Sequence, residues 1–283
     1  MLKLTKYLLT LAFVVVLAAA FSAPATAQSV SKDLAADSVL VQIQKRGKLR
    51  AGVASFVPWV MRGKDGGLIG FEIDVAKKVA KDMDVDVEFV PTSFSGIIPA
   101  LLAGEFDIIM TGISMVPKRN LTVNFSNPYT WHGIGFAASK KLTGDWKISQ
   151  FNSADVVFTV RRGSNDSIAS VRQISQKAKI RQFDDDAQAI QDVLNGTAHG
   201  FVTAEPKPSN YAIDYPDQIW QPLGKKMMLR WASSFAVRKG DPDVINWLNN
   251  WITLNTERGY LEERRDYWFR ARDWKDQVAP KKK

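Results

Sequence analysis

The chain has 283 residues, 46% of them hydrophobic and 24% charged, with a net charge of +9 and no cysteine. That length supports one large domain or two smaller ones, and the lack of cysteine excludes a lipid-modified N-terminus, disulfides and thiol catalysis together. The basic residues are scattered rather than drawn into a stripe interleaved with aromatics, which argues against nucleic acid as a partner and leaves a solvated positive surface that attracts anions.

Residues 1–27 read as an export signal. Lys3 and Lys6 give a positive start, residues 8–20 are an apolar stretch too short to span a bilayer comfortably, and Ala25-Thr26-Ala27 is a small-residue cleavage site. Cleavage after Ala27 leaves 256 residues with no second stretch of spanning length, so a soluble periplasmic protein is expected.

From Leu49 onward, short apolar runs alternate with amphipathic ones. Residues 49–54 read as a strand, followed by a loop holding Pro58, Trp59 and Gly66-Gly67. Ala76, Val79, Ala80 and Met83 fall at i, i+3, i+4 and i+7, the face of a helix beginning near Asp74. Val85, Val87 and Phe89 alternate as in a strand, Ile97, Ile98, Leu101 and Leu102 form a second helical face, and residues 106–110 make a third strand. This βαβαβ order implies a parallel sheet with helices on its faces.

The order then repeats. Strands are expected over residues 156–160, 179–183 and 198–203, with helices opening at Ser164 and over residues 187–194, the latter started by Asp184-Asp185-Asp186. The two closing segments echo one another: Leu102-Ala103-Gly104 leads to a strand and Thr111, and Leu194-Asn195-Gly196 leads to a strand and Thr203. Two similar α/β lobes with their strand ends facing across a cleft follow from this. Beyond them, Asp241-Pro242 starts a helix lined by Val244, Trp247, Leu248, Trp251 and Leu254, and Gly259 separates it from an aromatic-rich helix over residues 260–269. These tryptophans are expected in the core, and residues 271–283 as a polar, loose tail.

In an open α/β sheet, ligands bind beyond the carboxyl ends of the strands. The loop Thr111-Gly112-Ile113-Ser114 sits at such an end, and Arg119 follows it, a guanidinium suited to a bidentate carboxylate or phosphate. His132 and His199, the only histidines, stand in different contexts, so no metal site, cofactor or Ser/His/Asp triad is expected.

Two motifs give these pieces a common origin. Gly70-Phe71-Glu72-Ile73-Asp74-Val75-Ala76, and then Gly112-Ile113-Ser114, Pro117, Arg119 and Phe125-Ser126-Asn127-Pro128-Tyr129, resemble the signatures of the periplasmic solute-binding proteins of amino-acid ABC transporters, extracellular solute-binding protein family 3. The resemblance implies a two-lobed periplasmic binding protein fold, each lobe a mostly parallel sheet with helices on both faces. Lobe 1 would span residues 38–131 and 234–270 and lobe 2 residues 136–228, with crossings near 131–135 and 228–233. It implies a monomeric carrier that closes on a small carboxylate-bearing solute and hands it to an inner-membrane permease, with no catalytic residues.

Arg119 would grip the ligand carboxylate, with Thr111, Gly112 and Ser114 beside it and Phe56, Trp59 and Phe94 as aromatic walls. Ser164 and Asn165 would meet the carboxylate from lobe 2, where a helix N-terminus favours an anion. Many relatives hold the ligand ammonium with an aspartate where this chain has Ala204. Either Glu205 takes over from one residue along or the ligand is not a standard α-amino acid, and Arg162 would suit a second acidic group. The alternative is an enzyme similar to the cyclohexadienyl dehydratases, but their "T-D-A-x-E" run reads Thr203-Ala204-Glu205-Pro206-Lys207 here, with lysine in place of the final glutamate.

Overall fold

In a computed structural model of the chain, residues 38–224 and 226–279 are described; the expected signal over residues 1–27 lies outside them. The apolar runs become strands of two sheets because each sheet is covered on both faces, so inward and outward side chains alike leave water. The first sheet runs Asp86–Pro91, Lys48–Val53, Ile108–Ile109, Ala236–Val237, Asn124–Phe125. Its first three strands are parallel, and Ala236–Val237 returns antiparallel to both neighbours.

The second sheet runs Ile219–Trp220, Thr130–Ser139, Gly200–Ala204, Val157–Arg161, Lys179–Phe183. Gly200–Ala204, Val157–Arg161 and Lys179–Phe183 are parallel, whereas Thr130–Ser139 is antiparallel to its partners. Both sheets are therefore mixed rather than mostly parallel. The ten-residue strand Thr130–Ser139 escaped the sequence reading because its apolar and polar residues do not alternate. It carries the chain from the first sheet to the second, and Arg230–Ser233 pairs antiparallel with it on the way back, Trp231 opposite His132.

Helices Val39–Arg46, Phe71–Asp82, Pro242–Glu257 and Tyr260–Arg265 bury Val75, Val79, Leu248, Trp251 and Leu261 on one face of the first sheet. Ile97, Leu101 and Phe106 cover the other face. Phe106 packs so closely on the central strand that a Cβ on Gly52 would lie 2.3 Å from its ring. In the second sheet Phe136, Phe151 and Phe158 fill one side, and Ile190, Val193 and Phe201 the other.

The echoed helix exits turn on one device: Gly104 and Gly196 have φ of 77° and 74°, the left-handed conformation that ends a helix without Cβ strain. Trp251 and Trp268 are core, as expected, and their indole N–H groups donate to Asp82 and Asp74 at 2.8 and 2.7 Å, whereas Trp247 is half-buried at the core's edge. Residues 271–279 do not trail away. Trp274 is buried, and Lys64 N–H and Ala279 N–H close backbone bonds to Gln277 and Arg62 carbonyls, so this segment is tied to the first lobe by an apolar anchor absent from a purely polar tail.

Candidate functional site

The site grows from the loop after Ile108–Ile109. Thr111 Oγ1 accepts from Ala54 N–H at 2.9 Å and donates to the Ala54 carbonyl at 3.0 Å, fastening the loop to the neighbouring strand. Gly112 has φ of 64°, and a Cβ there would lie 2.5 Å from the Trp59 ring, so glycine is what allows the indole to close on the backbone. Trp59 is fully buried and meets Phe56, Phe71, His132 and Phe269. Its position as a wall comes from this aromatic cage.

Pro117 starts the single helical turn Pro117–Asn120, which aims Arg119 back over the loop. The Arg119 guanidinium is buried, donates to the Ser114 carbonyl at 2.8 Å and, across the cleft, to the Gly163 carbonyl at 2.8 Å, and lies 5.6 Å from the Phe94 ring centre. Burial lowers its pKa, opposed by the charge of Asp166.

The facing wall comes from the end of Val157–Arg161 and the start of Asn165–Ile174. Ser164 takes the cap position but makes no side-chain capping bond. Instead Asp166 Oδ1 accepts from Ser167 N–H at 2.8 Å while Oδ2 reaches across the cleft to accept from Ser114 Oγ at 2.6 Å. His132, on the crossing strand, approaches the same oxygen at 3.4 Å and meets Ser233 Oγ through Nδ1 at 2.9 Å. Burial works against the Asp166 charge, but His132, Ser114 and Arg119 outweigh it and hold the carboxyl far below the ordinary carboxylate range. It is an ionised aspartate in a closed interlobe setting.

Arg161 is the second buried guanidinium. It lies 4.7 Å from the Phe94 ring centre and 5.8 Å from that of Phe56. Burial lowers its pKa against the opposing charges of Asp186, Asp185 and Asp166.

These groups surround a cavity of 20 Å³ between the lobes, about the space of a single water. Six of the residues nominated from sequence line it: Phe56, Trp59, Phe94, Thr111, Gly112 and Ser164. Arg119 and Ser114 stand immediately beside it, engaged across the cleft with Gly163 and Asp166. Three nominations fall elsewhere. Arg162 is exposed and pairs with Asp184 at 2.7 Å, because it lies one residue past the strand end and turns outward. Asn165 is exposed on the first helical turn.

Glu205 faces a separate 430 Å³ cleft beside Gly133 and Pro206, where it accepts from Ser209 Oγ at 2.7 Å and burial raises its pKa. Ala204 does line the central cavity. Sequence reasoning missed Arg161, Asp166 and His132. Their signal was proximity, since Arg161 and Asp166 flank Gly163-Ser164-Asn165.

On the far side of Phe56 and Arg161 a larger cleft of 830 Å³ opens, also reached by Lys207 and Tyr211. Among the described residues no cluster of histidine, aspartate and glutamate has the makings of a metal site, and no helix is long and apolar enough to cross a membrane.

The model of the bacterial extracellular solute-binding proteins, family 3, matches residues 49–271. The L-cystine-binding protein TcyJ of Escherichia coli is 27% identical over 241 residues, 85% of this chain and 89% of that protein. The crystal structure of the ancestral amino acid-binding protein AncCDT-1, a precursor of cyclohexadienyl dehydratase, is 37% identical with a TM-score of 0.74, covering 82% of this chain and all of that one. A binding component of an ABC transporter from Wolinella succinogenes, complexed with lysine, is 31% identical with a TM-score of 0.75, at 82% and 100% coverage.

Proposed function

The chain belongs to the bacterial extracellular solute-binding proteins, family 3, and we propose from this that it is the periplasmic carrier of an ABC importer, closing on an amino acid and presenting it to a permease. The observation that carries the reading is a pair of buried opposite charges, Asp166 and Arg119, each bonded across the cleft between two lobes beside one aromatic-walled cavity. Charges buried at such cost persist where a charged partner completes them. A zwitterion supplies both signs at once.

In this reading two bonds now joining the lobes mark the ligand's anchors. Arg119 releases the Gly163 carbonyl to grip the α-carboxylate, with Thr111, Gly112, Ser114 and Ser164 around it. Asp166 releases Ser114 Oγ to take the α-ammonium, the duty that the Ala204 methyl cannot perform. Phe56, Trp59 and Phe94 enclose the side chain. A cavity of 20 Å³ admits no amino acid, so the ligand enters with the lobes apart, and the antiparallel crossing strands at Thr130–Ser139 and Arg230–Ser233 absorb the rotation.

Cleavage of the signal after Ala27 and action as a monomer belong to the same proposal. The dehydratase reading is the weaker one. Lys207, at the place of that family's glutamate, pairs with Asp186 at 2.6 Å and lies 4.5 Å from the Phe56 ring centre, so the glutamate that would protonate a leaving hydroxyl is replaced by an ion-paired lysine. Sustained phenylpyruvate formation from prephenate would reverse that judgement.

A thermal-shift screen against the common amino acids tests the carrier reading directly. Ligand at about a hundred times its Kd stabilises the folded form by about 2.7 kcal/mol, a rise easily read. A screen in which no amino acid moves the melting temperature refutes it.

A further inference from the structure

The carrier reading assigns Arg119 and Asp166 to the two ends of an α-amino acid and leaves Arg161 over. Arg161 is 6% exposed. Its Nε–H is buried with no acceptor among the described residues, and its guanidinium lies against the rings of Phe94 and Phe56. Ring faces fix the plane of a guanidinium and leave its edge, which carries the donors, free for an anion.

The neighbouring acids are engaged. Asp184 is paired with Arg162, Asp186 with Lys207, and Asp185 caps Asp186–Leu194 by accepting from Gln188 N–H. Asp166 is bonded to Ser114 and Ser167. Among the described residues, Asp186 Oδ1 is the one buried acceptor near Arg161 left without a partner.

Position adds to this. Arg161 lines both the 20 Å³ cavity and the 830 Å³ cleft beyond Phe56, so its charge stands where a side chain leaving the α-carbon site would pass. Arg119 and Arg161 each lie near the Phe94 ring, at 5.6 and 4.7 Å, which puts the two guanidinium carbons no more than about 10 Å apart. Two acidic groups of one small molecule fall within that bound.

Resting on the carrier reading, we propose that Arg161 is a specificity-determining residue that binds a second acidic group on the ligand, so that the preferred solute is an amino acid with an acidic side chain. Arg162, the sequence-level choice for this duty, points to solvent. The remaining alternative within the protein is that Arg161 serves only as a counterion for Asp185 and Asp186.

Calorimetry on the intact protein with L-glutamate, L-2-aminoadipate, L-glutamine and L-lysine separates these. The better diacid is expected to bind at least about tenfold more tightly than L-glutamine, and Arg161→Gln to abolish that ratio. Arg161→Lys should recover part of it. The wild-type ratio is readable whether or not the variants fold. Tighter binding of L-glutamine or L-lysine than of either diacid overturns the proposal. Equal weakening of diacid and amide by Arg161→Gln overturns it in favour of the counterion. Binding of none of these four, with another amino acid active in the thermal screen, overturns this inference alone. Silence of every amino acid overturns the carrier reading and this proposal with it.

Discussion

Asp166→Asn is the substitution that reads the site most directly. The change is isosteric, and Asn Oδ1 still accepts from Ser114 Oγ or Ser167 N–H, the bonds that measure 2.6 and 2.8 Å in the parent. What disappears is the negative charge, and an amide group that donates now faces the ligand ammonium. A charge-assisted hydrogen bond contributes about 1.5–3 kcal/mol. At 1.4 kcal/mol per decade, its loss raises Kd about 10- to 150-fold. The loss should be confined to ligands carrying an ammonium, with α-hydroxy analogues of the same acid weakened far less. Calorimetry with the ligand identified by thermal shift, on variant and parent whose unfolding curves overlay, gives the number. An affinity within about threefold of the parent would refute the assignment, because no other described carboxylate lines the cavity.

Arg119→Ala removes two donors now held by the Ser114 and Gly163 carbonyls; affinity should fall by about two orders of magnitude with the fold intact, and unchanged calorimetry would exclude Arg119 from the site. Gly112→Ala places a methyl 2.5 Å from the Trp59 ring at φ of 64°, and urea unfolding should register a loss of about 2 kcal/mol or more. Glu72 is fully buried against Tyr129, whose hydroxyl donates to it at 2.7 Å, and burial pushes its pKa up to about 8. Since the folded form keeps this proton and the unfolded form gives it up near 4.5, the contribution is complete below that pH and declines until about pH 8 at up to roughly 1.4 kcal/mol per unit. Urea titrations at pH 5 and 8 should therefore differ less for Glu72→Gln than for the parent.

The interlobe contacts also explain how the fold and the function are joined. Each lobe buries its own core on both faces of its own sheet, and Phe56 is a side chain that packs against the cores of both lobes. Two of the polar bonds that would have to break for the lobes to part are Arg119 to Gly163 and Ser114 to Asp166. A ligand that offers the same charges can take both places. Binding and closure then share one set of groups, which is what population shift toward a closed form requires.

The sequence by itself determined the two alternating α/β runs and their order, though not the crossing strand Thr130–Ser139. Periodicity placed the helix face at Ala76, Val79 and Ala80, the Lys179–Phe183 strand and the helix begun by Asp241-Pro242, because these depend on side-chain spacing within one turn or one pleat. It also placed the glycine exits at Gly104 and Gly196 and the loop before Arg119, where backbone conformation is local. What only the tertiary structure decided was which charges meet. Val157–Arg161 is buried on both faces, so alternation along it could not tell Arg161 from Arg162. Asp166 is opposite Ser114, 52 residues away, and His132 opposite Ser233, 101 away. The first pair is set by how two lobes close on each other and the second by the pairing of the two crossing strands, and a one-dimensional pattern carries no term for either distance.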